Sequence, residues 1–270
     1  MTTTPADGRS ARERLERRHV LNDLGWVVAR ADDDPDALVG SATVVPAMHV
    51  PGTEQVRLSI LAAWADVVAG HLAAFTIHPR VPVTLELDVH LFVPPPGAGV
   101  VTGLGRVVKA GRSVFVAGVD FTDESGDPIG FAAASFMKSP DERLTIDIGP
   151  LSVDGPPRPP GPELTVPFAD RAGCTVRTPG VAVLGHSEES LNASNTLNGG
   201  LIALACEEAA LSLTPGATLA SLDLRYLQPV RVGPAVAEAE VWHGLGRIEV
   251  RDAGNDNRLC VAATSRTFGD

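Results

Sequence analysis

One stretch of the second half holds the residue types that could steady a developing negative charge. Asn192-Ala193-Ser194-Asn195-Thr196-Leu197-Asn198-Gly199-Gly200 runs straight into an apolar segment, Leu201 to Cys206, and Glu207 follows seven residues after Gly200. Glycines at a helix start expose N–H groups that have no intrahelical acceptor, and the helix dipole adds positive potential there. Such donors suit a carbonyl oxygen that turns negative under attack. Glycine also lets that carbonyl approach the backbone closely. A carboxylate two turns along the helix can act as general base on water, or as nucleophile, if an apolar surround keeps it basic. An Asn amide can position the water or the carbonyl. A Gly-Gly pair before a helix is by itself most often a turn, and Glu207-Glu208 a solvated face. The register of Asn192 and Glu207 with the glycines favours chemistry.

The first half repeats the acid without the loop. Asp66 ends the run Ile60-Leu61-Ala62-Ala63-Trp64-Ala65-Asp66, and four residues to either side stand Ala62 and Gly70, so no helical neighbour neutralises it. Seven residues before it is Ser59, preceded by Leu58 and Arg57, where the second half has Gly200, Gly199 and Asn198. Other chemistries find little support. The histidines (His19, His49, His71, His78, His90, His186 and His243) show no HxxxH or HExxH spacing, so no metal is expected. There is no GxSxG elbow and no phosphate-binding glycine loop; Gly103-Leu104-Gly105 precedes a strand.

These residues need elements to hold them, and the chain supplies the same set twice. Leu87-Asp88-Val89-His90-Leu91-Phe92-Val93-Pro94 reads against Leu222-Asp223-Leu224-Arg225-Tyr226-Leu227-Gln228-Pro229, 135 residues apart; Gly111-Arg112 and Gly246-Arg247 keep the same offset. A constant offset in matching order reads as an internal duplication. Each half begins with a short hairpin (Trp26 to Arg30 with Ala37 to Val45; Cys174 to Arg177 with Val181 to Leu184). A helix follows, over Glu54 to Phe75 and Asn198 to Leu213, then antiparallel strands. The first helix is apolar round much of its circumference, as a helix wrapped by a sheet should be. The Arg- and Glu-rich segment Arg12 to Leu21 reads as a further exposed helix. Gly149 to Pro162 is dense in Pro and Gly and reads as a semi-rigid linker. The expected division is 1–148, a linker over 149–163, and 164–270.

Composition bounds the rest. Against 33 Asp and Glu there are 22 Lys and Arg, a formal charge of −11, which lacks the footprint of a nucleic-acid binder. Apolar content is 44% but aromatics only 4%, so Val, Leu and Ala must fill the core. No stretch reads as the ~20 apolar residues that cross a bilayer, so no membrane partner is expected. Met1 to Ser10 carries no signal-like apolar core. Cys174, Cys206 and Cys260 are odd in number and far apart, fitting neither a disulfide framework nor a zinc knuckle. A cytoplasmic protein with reduced thiols is the expectation.

One long helix per half followed by a strand meander is an α+β arrangement. It resembles the hotdog fold, and two tandem copies a double hotdog, the covalent version of a twofold dimer. The Asn192-to-Glu207 stretch resembles the signature of hotdog acyl-CoA thioesterases of the phenylacetate-pathway (PaaI-like) class: Asn, five residues, His-Gly-Gly, then an acid seven positions on. Asn192 takes the Asn position, Asn198 replaces the His, Gly199 and Gly200 match the glycines and Glu207 the acid. Tyr226, Leu227 and Pro229 match the family's strand. The resemblance implies hydrolysis of an acyl-CoA with no cofactor beyond the CoA of the substrate, and sites shared between halves. One site would join Asp66 to Asn192, Gly199 and Gly200; the other would set Glu207 against the His49 to Arg57 segment, with His49 lining it. A Ser or Thr starting the strand after the helix is also implied; alignment on Pro229 puts Leu219 there, beside Thr218 and Ser221. Asn198, Arg106 and Arg231 are further candidates for substrate contact, the arginines for CoA phosphates. A non-catalytic acyl-CoA-binding protein and a hotdog hydratase are the competing readings; the hydratase needs an Asp–His pair that the Asn192 segment lacks. Association of such chains into a homodimer or larger oligomer is left open.

Overall fold

The computed structural model describes residues 19–151, 153 and 164–268. The exposed helix expected at Arg12 to Leu21 lies largely outside that range, as does most of the expected linker. Inside it, Val20–Leu24 forms a 3-10 turn stopped by Gly25 in the left-handed conformation.

Three α-helices occur among the described residues: α1 (Leu58–Ile77), the short α2 (Phe168–Ala172) and α3 (Gly199–Leu211). Six alanines in α1 (Ala62, Ala63, Ala65, Ala69, Ala73, Ala74) favour the helix and keep it slim. The helix stops at His78, because Pro79 disfavours a helical residue before it. Asn198 caps α3, its side-chain oxygen accepting from the Gly200 N–H at 2.8 Å. In α1, 14 of 20 residues are buried. This corrects the reading that no segment is long and apolar enough to span a bilayer: Leu58–Ile77 is, by length and composition. Its apolarity is spent on the core, which surrounds it.

The strands form one antiparallel sheet of twelve. The first half contributes β1 (Val27–Arg30), β2 (Leu38–Thr43), β3 (Pro82–Leu91), β4 (Val100–Ala110), β5 (Val114–Thr122) and β6 (Pro128–Lys138). The second contributes β7 (Cys174–Thr178), β8 (Val181–Leu184), β9 (Leu219–Tyr226), β10 (Ala235–Trp242), β11 (Leu245–Asp252) and β12 (Arg258–Thr267). Their order, β1-β2-β4-β5-β6-β3-β9-β12-β11-β10-β8-β7, is palindromic: each strand of the first half has its counterpart at the mirrored place. The repeat segments Leu87 to Pro94 and Leu222 to Pro229 thus provide the two central strands. Across the seam Leu87 pairs with Leu224, Asp88 with Asp223 and Val89 with Leu222.

Alternation puts Leu87, Val89, Leu222 and Leu224 on the inner face, fully buried against the helices. Asp88 and Asp223 face each other on the outer side. Arg225 bridges to Asp88 and, at 3.4 Å, to Glu86, while His90 Nε2 lies 3.2 Å from Asp223 Oδ1. In the first half the few aromatics gather round α1: Trp26 stacks on Trp64 with centroids 4.6 Å apart, and Phe121 packs at 6.5 Å. Gly40 makes room for this, since a Cβ there would sit 2.3 Å from the Trp26 ring.

The helices run antiparallel across the seam. A Cβ on Gly200 would meet Ala63 Cβ at 2.7 Å, and Glu207, further along α3, reaches back to Leu58 at the start of α1.

Candidate active site

The crossing of α1 and α3 decides what faces what. Since Gly200 sits on Ala63, Asp66, one turn further along α1, lies toward the N-terminal end of α3. Two hydroxyls mark the place. Thr84, at the start of β3, donates from Oγ1 to Asp66 Oδ1 at 3.2 Å. Tyr226, the single tyrosine of the chain, ends β9 and donates its hydroxyl to the Gly199 carbonyl at 3.0 Å. Burial raises the Tyr226 pKa well above normal, and the nearby Asp66 charge is the next largest cause.

The Asp66 carboxyl is shifted toward neutrality. Burial raises its pKa to about 6, and the Thr84 hydrogen bond offsets only part of that. Yet Asp66 is of intermediate exposure and is not among the buried residues of α1. A desolvated carboxylate that keeps partial exposure is what water activation requires.

At the start of α3 the donors divide. The Gly200 N–H is taken by the Asn198 side chain, and no hydrogen bond of the Gly199 N–H occurs among the described residues. The Gly199 N–H is therefore the unengaged donor at this helix start. The missing side chain of Gly200 makes room for Ala63, whose Cβ would lie 2.7 Å from a Cβ at that position. Asn198, expected to touch substrate, is the helix cap. The Asn192 side-chain oxygen accepts from Ser194 N (2.9 Å), Thr196 N (3.2 Å) and Thr196 Oγ1 (3.2 Å), so it organises the loop that delivers Gly199. Val230 O receives Leu197 N at 3.1 Å and so buttresses that loop. Buried Asp252 fixes the neighbouring turn by accepting the N–H groups of Arg231, Val232 and Gly233. The exposed side chain of Arg231 stands beside this loop.

The mirrored place has been closed. Glu207 is fully buried; its Oε1 accepts from Leu58 N at 2.8 Å, and its Oε2 from Ser59 Oγ at 2.6 Å and Arg57 Nη1 at 3.4 Å. Arg57 is fully buried too and reaches Glu208 Oε1 at 2.6 Å. Burial pushes the Glu207 pKa up, opposed first by the Arg57 charge. Glu207 thus meets the 57–59 segment, as expected for a site shared between halves, but in a sealed ionic cluster rather than in an opening. His49 is likewise engaged, Nε2 lying 2.7 Å from Gly97 O. Arg106 is tied to Asp34 at 3.2 Å on exposed β4.

Two features escaped the sequence reading. Thr84 stands 135 residues before Leu219, so the same offset would have found it had the search for a strand-start hydroxyl covered the first half. The burial of Arg57 had no signal, since an arginine before a helix reads as solvated.

Comparison with known proteins agrees with this architecture. The model of the Thioesterase superfamily matches residues 59–129. Among solved structures, the chain is similar to an acyl-ACP thioesterase from Bacteroides thetaiotaomicron, with a TM-score of 0.60 at 14% identity over 88% of this chain and 100% of that one. It is similar to the 12:0-ACP thioesterase of Umbellularia californica, with TM-score 0.59, 12% identity and coverage of 87% and 98%. A tesB protein from Mycobacterium avium subs paratuberculosis gives TM-score 0.56 at 13% identity, covering 92% and 97%. No curated protein matches the chain. At these identities the likeness is one of fold, and the fold is a double hotdog.

Proposed function

We propose that the protein hydrolyses an acyl-CoA thioester at one site, built from Asp66 and Thr84 of the first half and Gly199 of the second. The observation that carries this is the pairing of a partly exposed carboxylate, its pKa pushed up to about 6, with the start of an opposing helix whose Asn198 cap engages the Gly200 N–H and leaves that of Gly199. The thioesterase family model and the hotdog neighbours support the reaction class, and the Asn192-to-Gly200 spacing supports the PaaI-like subclass.

In this reading the thioester oxygen lies at the Gly199 N–H. Asp66 takes a proton from water as the water oxygen bonds to the carbonyl carbon. The oxyanion that forms is held by the N–H and by the positive end of α3. Collapse restores the carbonyl and breaks the C–S bond, and Asp66 returns its proton to the leaving thiolate. Thr84 keeps the carboxylate oriented. Tyr226 anchors the Gly199 carbonyl, so the peptide on its far side keeps its N–H aimed outward. Arg231, beside the loop, is placed to meet a CoA phosphate.

The test is free-thiol release from a panel of acyl-CoAs. The wild type should release thiol, and Asp66→Asn should fold normally with hydrolysis reduced by at least about 10³-fold, as expected for loss of the base together with the geometry it serves. A folded Asp66→Asn variant with near-normal turnover would refute the assignment.

A further inference from the structure

Strand β3 does not alternate along its whole length. Leu87 and Val89 are buried on the inner face, while Glu86, Asp88 and His90 lie on the outer one. A residue two places before Glu86 should share its outer face. Thr84 does not. It pairs with Phe136, which is buried, and its hydroxyl reaches Asp66 on α1. The register gives the reason. Glu86 pairs with Ser135 and Thr84 with Phe136, adjacent residues of β6, so Leu85 is an extra residue on β3. It is a β-bulge, and one inserted residue moves what precedes it to the opposite face.

The second half repeats the device at the repeat offset. On β9, Ser221 pairs with Arg266 and Leu219 with Thr267, which makes Ala220 the extra residue, 135 places after Leu85. Here the residue turned inward is Leu219, buried at the place that corresponds to Thr84. The two bulges also bound the seam. Pairing between β3 and β9 runs from Glu86–Arg225 to His90–Ser221, beginning beside Leu85 and stopping beside Ala220. Bulges commonly end pairing and re-aim a side chain in this way. The same backbone device thus occurs twice, and only the first copy presents a hydroxyl.

We propose that Leu85 is a positioning residue of the hydrolytic site: by interrupting the alternation of β3, it turns Thr84 from the outer face onto Asp66. The inference rests on the hydrolytic reading of Asp66. Its test moves the hydroxyl by one residue. The wild type, Thr84→Ser, Thr84→Val and the double variant Thr84→Val/Leu85→Thr are labelled with carboxyl-13C aspartate. The Asp66 signal, assigned by its loss in Asp66→Asn, is then titrated by NMR. The wild type should show a midpoint of about 6. Thr84→Val should raise it by about half a pH unit, because the lost hydrogen bond favours the ionised carboxyl. Thr84→Ser should restore the wild-type midpoint. The double variant should titrate like Thr84→Val, since its hydroxyl falls on the inserted residue. The acidic limb of kcat/KM on one hydrolysed acyl-CoA should move with the midpoint in each variant. A double variant with the wild-type midpoint would show unbroken alternation and overturn the proposal. A midpoint unmoved in Thr84→Val would overturn it too. If the midpoints follow the expected order but no acyl-CoA releases thiol, the hydrolytic reading has failed, and Leu85 positions no reacting group.

Discussion

Asp66 and Glu207 occupy matching places on matching helices and have been given opposite environments. Glu207 accepts one backbone and two side-chain donors, one of them a buried guanidinium. Asp66 accepts from one hydroxyl and keeps partial exposure. Raising a carboxyl pKa on folding destabilises the folded state wherever that carboxyl is ionised in the unfolded chain. For Asp66 the penalty is absent below about pH 4 and grows as pH rises through about 6. With partial exposure, the penalty is put at ~2 kcal/mol rather than at the full ~3 of the shift. Asp66→Asn should therefore be more stable than the wild type by ~2 kcal/mol at pH 8 and equal to it at pH 4, read by urea unfolding. Equal stabilities at both values would contradict the desolvated carboxylate. The same group sets the rate: kcat/KM should rise with pH to a plateau above about 6. Tyr226→Phe removes the hydroxyl from the Gly199 carbonyl and should lower kcat by about tenfold with KM little changed, since the loss falls on the oriented oxyanion donor. A rise in KM alone would assign Tyr226 to substrate binding.

Both long helices were legible in the sequence, and so was the succession of hairpin, helix and strands in each half; the order of strands in the sheet and what each helix turns toward its partner were not. Leu58–Ile77 and Gly199–Leu211 fall inside the expected Glu54 to Phe75 and Asn198 to Leu213 windows to within a few residues. Periodicity could not orient them, because both are apolar nearly all round. Gly200 shows the consequence. Read locally it is an oxyanion glycine, but in the fold its Cα faces Ala63 across the seam. Gly200→Val should destabilise by ~2–3 kcal/mol through overpacking. Ala63→Gly in the same chain should recover part of the loss, because it removes the atom that the new Cβ meets at 2.7 Å. Strict additivity of the two changes in thermal unfolding would argue against the crossing. Arg57 illustrates the same limit, as its charge is tolerable only because Glu207 and Glu208 of the other half arrive beside it.

At the scale of the whole molecule, two half-sheets meet along β3 and β9, and two helices cross beneath that seam. The constant offset of 135 residues made the halves legible, since it pairs the two segments that become the central strands. It could not reveal how the surroundings of Asp66 and Glu207 differ, which depends on contacts made across the seam. Asp88 faces Asp223 there, with Glu86 beside them, and Arg225 is the cation that holds them. Arg225→Leu should lower Tm by a few degrees at pH 8 and by less at pH 4, where the carboxyls accept protons; an equal loss at both would assign the effect to packing. The central claim is that the carboxylate of the first half works with the helix start of the second, while its mirror image is a structural clasp. Comparing Asp66→Asn with Glu207→Gln on one acyl-CoA, with unfolding of both variants, tests this most directly. Asp66→Asn should be folded and inactive. Glu207→Gln should hydrolyse at near the wild-type rate but unfold with a loss on the order of 3 kcal/mol, because a buried arginine loses a partner. A stable, inactive Glu207→Gln beside an active Asp66→Asn would contradict the account.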